Sequence, residues 1–196
     1  MSNKKVYLIV AHPNKNSLSL ASFENIKKGL ETAGHEVKTL NLYEENFNPV
    51  LVFNEKKRRR DLQRDPETQI YRETVSWADH LIFVFPIWWS GMPAILKGFI
   101  DRVFAKGFAY EYDGKSNMKG LLKGKTAWVV TLCDAPGIVR FIPFIVHDYG
   151  VVLKNQVLKN CGFKTVKRYS ISSLVKVPPE KCNKWLEKLY QLGVRF

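Results

Sequence analysis

Cysteine is scarce in this chain of 196 residues: Cys133, Cys161 and Cys182 are odd in number and lack metal-ligand spacing. That pattern excludes a disulfide framework and a zinc site, and leaves three free thiols as the reading. No apolar run approaches the roughly 20 residues that span a bilayer. The opening Lys4-Lys5 and Val6-Tyr7-Leu8-Ile9-Val10 imitate a signal peptide, but the apolar run is too short and His12-Pro13 is no small-residue cleavage site. The run is read as the first strand of a cytoplasmic protein. Neither G-x-G-x-x-G after that strand nor G-x-x-x-x-G-K-[ST] anywhere is present, which disfavours a dinucleotide-binding dehydrogenase and a P-loop nucleotidase. Linkers, repeats and low-complexity tracts are lacking too, so one domain is expected, large enough to bury roughly 70% of its unfolded surface.

Acidic residues are in the minority, 18 against 31 Lys and Arg, for a formal net charge of +13. Such a surplus invites a nucleic-acid reading, in which cations release counterions from a phosphate backbone. Most of the charge is instead spread along helix faces, which makes nucleic acid an unlikely partner. The densest run, Lys56-Lys57-Arg58-Arg59-Arg60, reads as a solvated face or loop, with an anionic membrane protein or lipid surface as its alternative partner.

Short apolar runs alternate with amphipathic segments, the pattern of a parallel sheet covered by helices on both faces. Strands are expected at Val6–Val10, His35–Leu42, His80–Phe85, Lys125–Leu132 and Thr165–Ser172. Helices are expected at about Ser19–Ala33, somewhere in the charged segment before Pro66, and at Glu67–Trp77, Pro93–Phe104, Val151–Asn160 and Pro179–Leu192. Right-handed crossovers then give an α/β three-layer sandwich with a five-stranded parallel sheet of order 2-1-3-4-5.

In such sheets the loops leaving the carboxyl ends of strands one, three and four meet at the switch point and hold ligand. The first loop, His12 to Ser19, brings Asn16, Ser17 and Ser19 to a helix start, where free N–H groups and the dipole favour a phosphate; Ser17 or Ser19 serving only as a helix cap is equally consistent. The second, Pro86-Ile87-Trp88-Trp89-Ser90-Gly91-Met92-Pro93, sets two tryptophans between prolines, a rigid platform for a flat aromatic ligand, a flavin above all. The third, Thr131-Leu132-Cys133-Asp134-Ala135-Pro136-Gly137, offers backbone donors to the ring's pyrimidine side. Cys133 has no His and acid beside it in the sequence pattern and reads as a packed thiol rather than a nucleophile.

These residues resemble a known family, the flavodoxin-like NAD(P)H:quinone oxidoreductases, which includes DT-diaphorase-like enzymes and the ancillary flavoproteins of potassium-efflux systems. The matching text is Ala11-His12 with Ser17-Leu18-Ser19, Leu42-Tyr43, Phe47-Asn48-Pro49, the block Trp77 to Phe104, Gly107-Phe108-Ala109-Tyr110 and Cys161-Gly162-Phe163. The resemblance implies a flavodoxin-like fold and a bound FMN or FAD. It places the phosphate at His12, Asn16, Ser17, Leu18 and Ser19, and the ring at Pro86, Ile87, Trp88, Trp89, Thr131, Leu132, Cys133 and Asp134. It further implies two-electron, ping-pong transfer from NAD(P)H to a quinone, and a homodimer with its sites at the subunit boundary. An accessory role on a membrane transport protein is the alternative that the resemblance carries.

The chain departs from the diaphorase-like pattern where a glycine pair follows the fourth strand: Cys133-Asp134 stand there. A carboxylate beside an electron-rich ring lowers its potential unless paired, and Arg140 is the expected partner. His147 and Tyr149 have the residue types of that family's charge-balancing pair at unmatched spacing, and read as surface histidine and packed tyrosine. The apolar stretch Ile138 to Val146 is expected to be covered, as a wall of the substrate slot or an interface.

Overall fold

The computed structural model describes residues 3–114, 117–134, 149–174 and 177–196. Its main sheet has five parallel strands, β1 (Lys5–Val10), β2 (Glu36–Asn41), β3 (His80–Pro86), β6 (Thr126–Leu132) and β7 (Thr165–Ile171), in the order β2-β1-β3-β6-β7. This is the expected 2-1-3-4-5 arrangement, renumbered by a short antiparallel hairpin, β4 (Tyr110–Tyr112) and β5 (Met118–Gly120), which stands outside the sheet. The hairpin was not expected from the sequence pattern.

Strand periodicity sorts the core into two layers. Tyr7, Ile9, Leu81, Phe83, Phe85 and Val129 face α2 (Gln69–Trp77) and α3 (Ala94–Val103). Val6, Leu8, Val10, Ile82, Val84, Trp128 and Val130 face α1 (Leu18–Thr32) and α5 (Pro179–Val194). Every residue of β3 is buried, as a central parallel strand covered on both faces requires. Helices α1 and α5 touch backbone to backbone, for a Cβ on Gly29 would lie 2.2 Å from the Tyr190 carbonyl oxygen.

Two expected helices are corrected. The segment before Pro66 is irregular as far as Arg58 and then forms only a 3-10 turn, Arg59–Arg64, because it buries a single apolar side chain, Leu62, and cannot anchor an amphipathic stripe. Local polar groups take its amides instead: Asn54 Oδ1 accepts from Lys56 N (2.9 Å) and Lys57 N (2.8 Å), and Asp61 caps Arg58 N at 2.9 Å. The helix expected at Val151–Asn160 is one α turn, α4 (Tyr149–Val152), followed by a π-helical stretch over Leu153–Leu158. The second helix starts later than expected, at Gln69, behind a 3-10 turn over Pro66–Thr68.

The basic run is also corrected in part. Lys57 is not simply solvated: its Nζ lies 2.7 Å from Asp65, whose side chain is 1% exposed. Arg102 of α3 reaches the same carboxylate at 3.2 Å, pairs with Glu67, and donates to the Asn48 carbonyl at 2.6 Å. Arg72 holds the Asp65 carbonyl at 2.7 Å and the Leu62 carbonyl at 3.1 Å. Burial alone would raise the Asp65 pKa, but hydrogen bonds from Lys57 and Arg102 outweigh it and hold the carboxyl below its ordinary value. Segment 46–68 is thereby fastened to α3, and Gly98 admits it closely, since a Cβ there would lie 2.3 Å from the Pro49 carbonyl oxygen.

Arg102→Met should destabilise the fold by roughly 1–3 kcal/mol, because it leaves the buried Asp65 carboxylate with Lys57 alone and the Asn48 carbonyl without its donor. A urea melt reads this, and adding Asp65→Leu should recover part of the loss. A second consequence concerns His80, whose burial pushes its pKa from 6.5 down to about 3, helped by the Lys167 charge. Between those values the unfolded chain binds a proton that the folded chain refuses, so stability falls as pH drops through 6.5, by about 1.4 kcal/mol per pH unit. Urea midpoints at pH 7, 6 and 5 should show this slope in the wild type and a shallower one in His80→Leu.

Candidate functional site

The carboxyl ends of β1, β3 and β6 meet at the switch point, tied together by Ala11 N–H to the Val84 carbonyl (3.1 Å) and Ile87 N–H to the Leu132 carbonyl (2.7 Å). Between them lies a cleft of about 120 Å³. Of the residues expected there, His12, Ser17, Leu18, Ser19, Pro86, Ile87, Trp88, Leu132 and Asp134 line it, joined by Leu174 from the loop after β7. Leu174 had no pattern to mark it; only its place at the carboxyl end of a fifth strand points to the site.

The first loop folds through its own side chains. Asn14 Oδ1 accepts from Asn16 N at 2.9 Å, the Asn14 carbonyl accepts from Ser17 N at 3.2 Å, and Ser17 Oγ caps α1 by accepting from Leu20 N at 3.2 Å. Ser17 is therefore the helix cap, and the N–H groups of Leu18 and Ser19 at the first turn have no intrahelical acceptor. They face a cleft that Ser19 and Leu18 line, an arrangement suited to an anion. Asn16 is exposed and stands outside the lining.

His12 sits over this edge with its ring 5.7 Å from that of Trp88. His12 Nδ1 lies 3.0 Å from Asn14 N and 3.2 Å from the Asn14 carbonyl oxygen, so it has a partner in either tautomer. Burial lowers its pKa below 6.5, partly offset by the Asn14 carbonyl, which favours the neutral ring at physiological pH.

The second loop is a tight turn: Trp88 N–H donates to Gly91 O at 3.0 Å and Gly91 N–H to Trp88 O at 2.7 Å. Trp89 and Ser90 at its tip both have positive φ, 50° and 59°, left-handed geometry that glycine adopts without strain and tryptophan does not. Trp88 lines the cleft, whereas Trp89 is 102% exposed and stands away from it. The two tryptophans thus divide, one a wall and the other a projection. The backbone donors expected for a ring's polar rim are largely engaged elsewhere: Ile87 and Trp88 N–H as above, and Cys133 N–H by the Ile171 carbonyl at 2.9 Å.

The third loop contributes Leu132 and Asp134. Thr131 is fully buried and its Oγ1 has no hydrogen-bond partner among the described residues. Cys133 is a partly buried free thiol outside the lining. Asp134 makes no ion pair among the described residues, and its expected partner Arg140 lies outside them, as do His147 and the stretch Ile138 to Val146. No cluster that could hold a metal is found among the described residues, nor is a helix long and apolar enough to cross a membrane.

Sequence reasoning missed a larger cavity of about 450 Å³, lined by Leu51, Phe53, Arg59, Tyr110, Tyr112 and Met118 among others. It is made by the unexpected hairpin. Tyr110-Glu111-Tyr112 followed by Asp113-Gly114 was a usable hairpin signature. Arg59 borders the cavity and, though exposed, donates to the Tyr110 hydroxyl at 3.1 Å, so a second member of the basic run has a partner within the fold.

Comparison with known proteins places this geometry. A family model described as flavodoxin-like fold matches residues 4–191. A rat NAD(P)H dehydrogenase [quinone] 1 is 29% identical over 200 residues, covering 92% of this chain and 73% of its own length. An NAD(P)H oxidoreductase of Escherichia coli is 38% identical over 113 residues, but the match covers 56% of this chain and 57% of the relative. The crystal structure of Smu.1420 from Streptococcus mutans superimposes with a TM-score of 0.92 at 46% identity, covering 98% of this chain and all (100%) of the other.

Proposed function

The chain belongs to the flavodoxin-like fold family, and we propose that it is a flavin-dependent NAD(P)H oxidoreductase that reduces quinones or similar flat acceptors. The observation that carries this reading is the meeting, in one cleft, of an anion-receptive helix start at Leu18–Ser19 and an aromatic wall at Trp88. The names of the rat and E. coli relatives support the same reaction class. When bound, the flavin would supply two-electron hydride exchange, first with NAD(P)H and then with the acceptor.

The chain's own residues bind and orient. The N–H groups of Leu18 and Ser19, with the His12 ring beside them, would hold the phosphate. Pro86, Ile87 and Trp88 would wall the ring by packing, since their backbone donors are engaged, and the unpartnered Thr131 Oγ1 is a candidate donor beneath them. Asp134, left without a cation among the described residues, would disfavour negative charge on the ring.

A second copy of this chain is proposed to cover the large cavity. Phe53, Tyr112 and Met118 line it at 46, 44 and 43% exposed, and Val50 and Val52 beside them in the chain are exposed too, an apolar edge that a monomer would leave wet. The protein is read as cytoplasmic. Nothing favours a membrane partner, since Lys57 and Arg59 of the basic run are engaged within the fold.

A visible spectrum tests the proposal. Yellow bands should bleach with NADPH under anaerobic conditions and return with benzoquinone; a protein that cannot be loaded with FMN or FAD would overturn it. Trp88→Ala should weaken flavin retention about tenfold, equivalent to about 1.4 kcal/mol of lost ring contact. Fluorescence titration of the flavin checks this.

A further inference from the structure

A second cavity, of about 340 Å³, opens at the opposite end of the sheet, at the amino ends of β3, β6 and β7 beneath the end of α5. Along β6, Trp128 lines this cavity and Leu132 lines the switch-point cleft, four residues apart and about 13 Å of extended chain. The parallel register pairs His80 with Thr126 and Trp128 with Lys167, so these side chains and Tyr169 share the face covered by α1 and α5. Because β7 is the last strand of the sheet, that face opens to solvent there.

Three features of the cavity point to one ligand chemistry. Its walls are aromatic: Trp128 stands edge-on to Tyr169 at 5.5 Å and to Phe196 at 5.0 Å. Its charges are of one sign, since Lys167 and Arg195 line it, no carboxylate side chain does, and neither cation has an ion-pair partner among the described residues. Finally, His80 is 1% exposed with Nδ1 2.6 Å from Thr126 Oγ1, and its Nε2 is buried without any hydrogen-bond partner among the described residues. Either ring nitrogen can carry the proton, so Nε2 is an unmatched donor or an unmatched acceptor.

We propose that this cavity is a second binding site, separate from the switch-point cleft, for a planar aromatic monoanion of the aryl carboxylate class. The ring would lie against Trp128 and Tyr169, and the carboxylate would take Lys167 and Arg195 as counter-charges. The fold already displays the complementarity for a ring: the Phe196 phenyl lies 4.4 Å from His80 and 5.3 Å from His35, in a cage completed by Trp128. The volume suits one or two fused rings and not a dinucleotide.

The site is tested with 2-naphthoate, titrated calorimetrically into the protein as purified. One equivalent should bind, Lys167→Glu and Arg195→Glu should each weaken it at least fivefold, and neutral 2-naphthamide should bind at least tenfold more weakly. Trp88→Ala should leave the affinity unchanged, which separates this site from the switch-point cleft. Both charge-reversed positions are exposed, so the variants should keep the wild-type melting curve. The proposal is overturned if 2-naphthoate gives no saturable binding at millimolar concentration, if charge reversal has no effect, or if Trp88→Ala abolishes binding.

Discussion

A buried carboxylate must be paired, and in this protein the pairing of Asp65 organises everything on one side of the sheet. Its side chain is almost wholly out of water and is met by cations from two directions, Lys57 along the chain and Arg102 from α3. Such a cluster adds little net stability, because the desolvation of its charges cancels most of their attraction. What it does impose is one arrangement, since any other leaves a charge stranded. With Asp65 in place, Arg102 can hold the Asn48 carbonyl, Arg72 can hold the carbonyls of Leu62 and Asp65, and a segment with little regular structure becomes a defined wall. Leu51, Phe53 and Arg59 of that wall then meet the hairpin across the larger cavity.

The two ends of the sheet differ in how they treat polar groups. At the carboxyl end, loops satisfy most of their own amides, through the Asn14 turn, the Ser17 cap and the Trp88–Gly91 pair, and present what remains to the cleft. The site is therefore shaped before any ligand arrives, which reduces the ordering cost of binding. At the amino end, the imidazoles of His35 and His80 each keep a buried nitrogen without a partner among the described residues, beneath the Phe196 ring. One end is prepared by satisfied loops, the other by orphaned imidazole nitrogens and aromatic walls.

The sheet was legible because its strands obey simple periodicity, and β3 is buried on both faces and reads as one apolar run. The switch-point residues were legible for the same reason: topology says which loops converge. The failures have local causes. Segment 54–64 is rich in good helix formers, yet Asn54 and Asp61 divert its amides and only Leu62 has a core to enter. Trp88 and Trp89 are chemically identical neighbours, and only the left-handed tip of their turn, invisible in residue identity, separates wall from projection. Lys57 and Arg59 looked like members of one solvated run because the carboxylate and hydroxyl that receive them come from elsewhere in the chain.

The outer strands of the sheet carry one more consequence. β2, at one edge, exposes Glu36, Lys38 and Thr39, and β7, at the other, exposes Thr165 and Lys167. Charged side chains along open edges resist the addition of a further strand from another molecule, so the sheet is guarded against growing into a fibre. The exposed apolar stretch Val50 to Phe53 offers side chains rather than a free backbone edge, so the second copy proposed above would meet it in a two-fold pairing that closes on itself and stops.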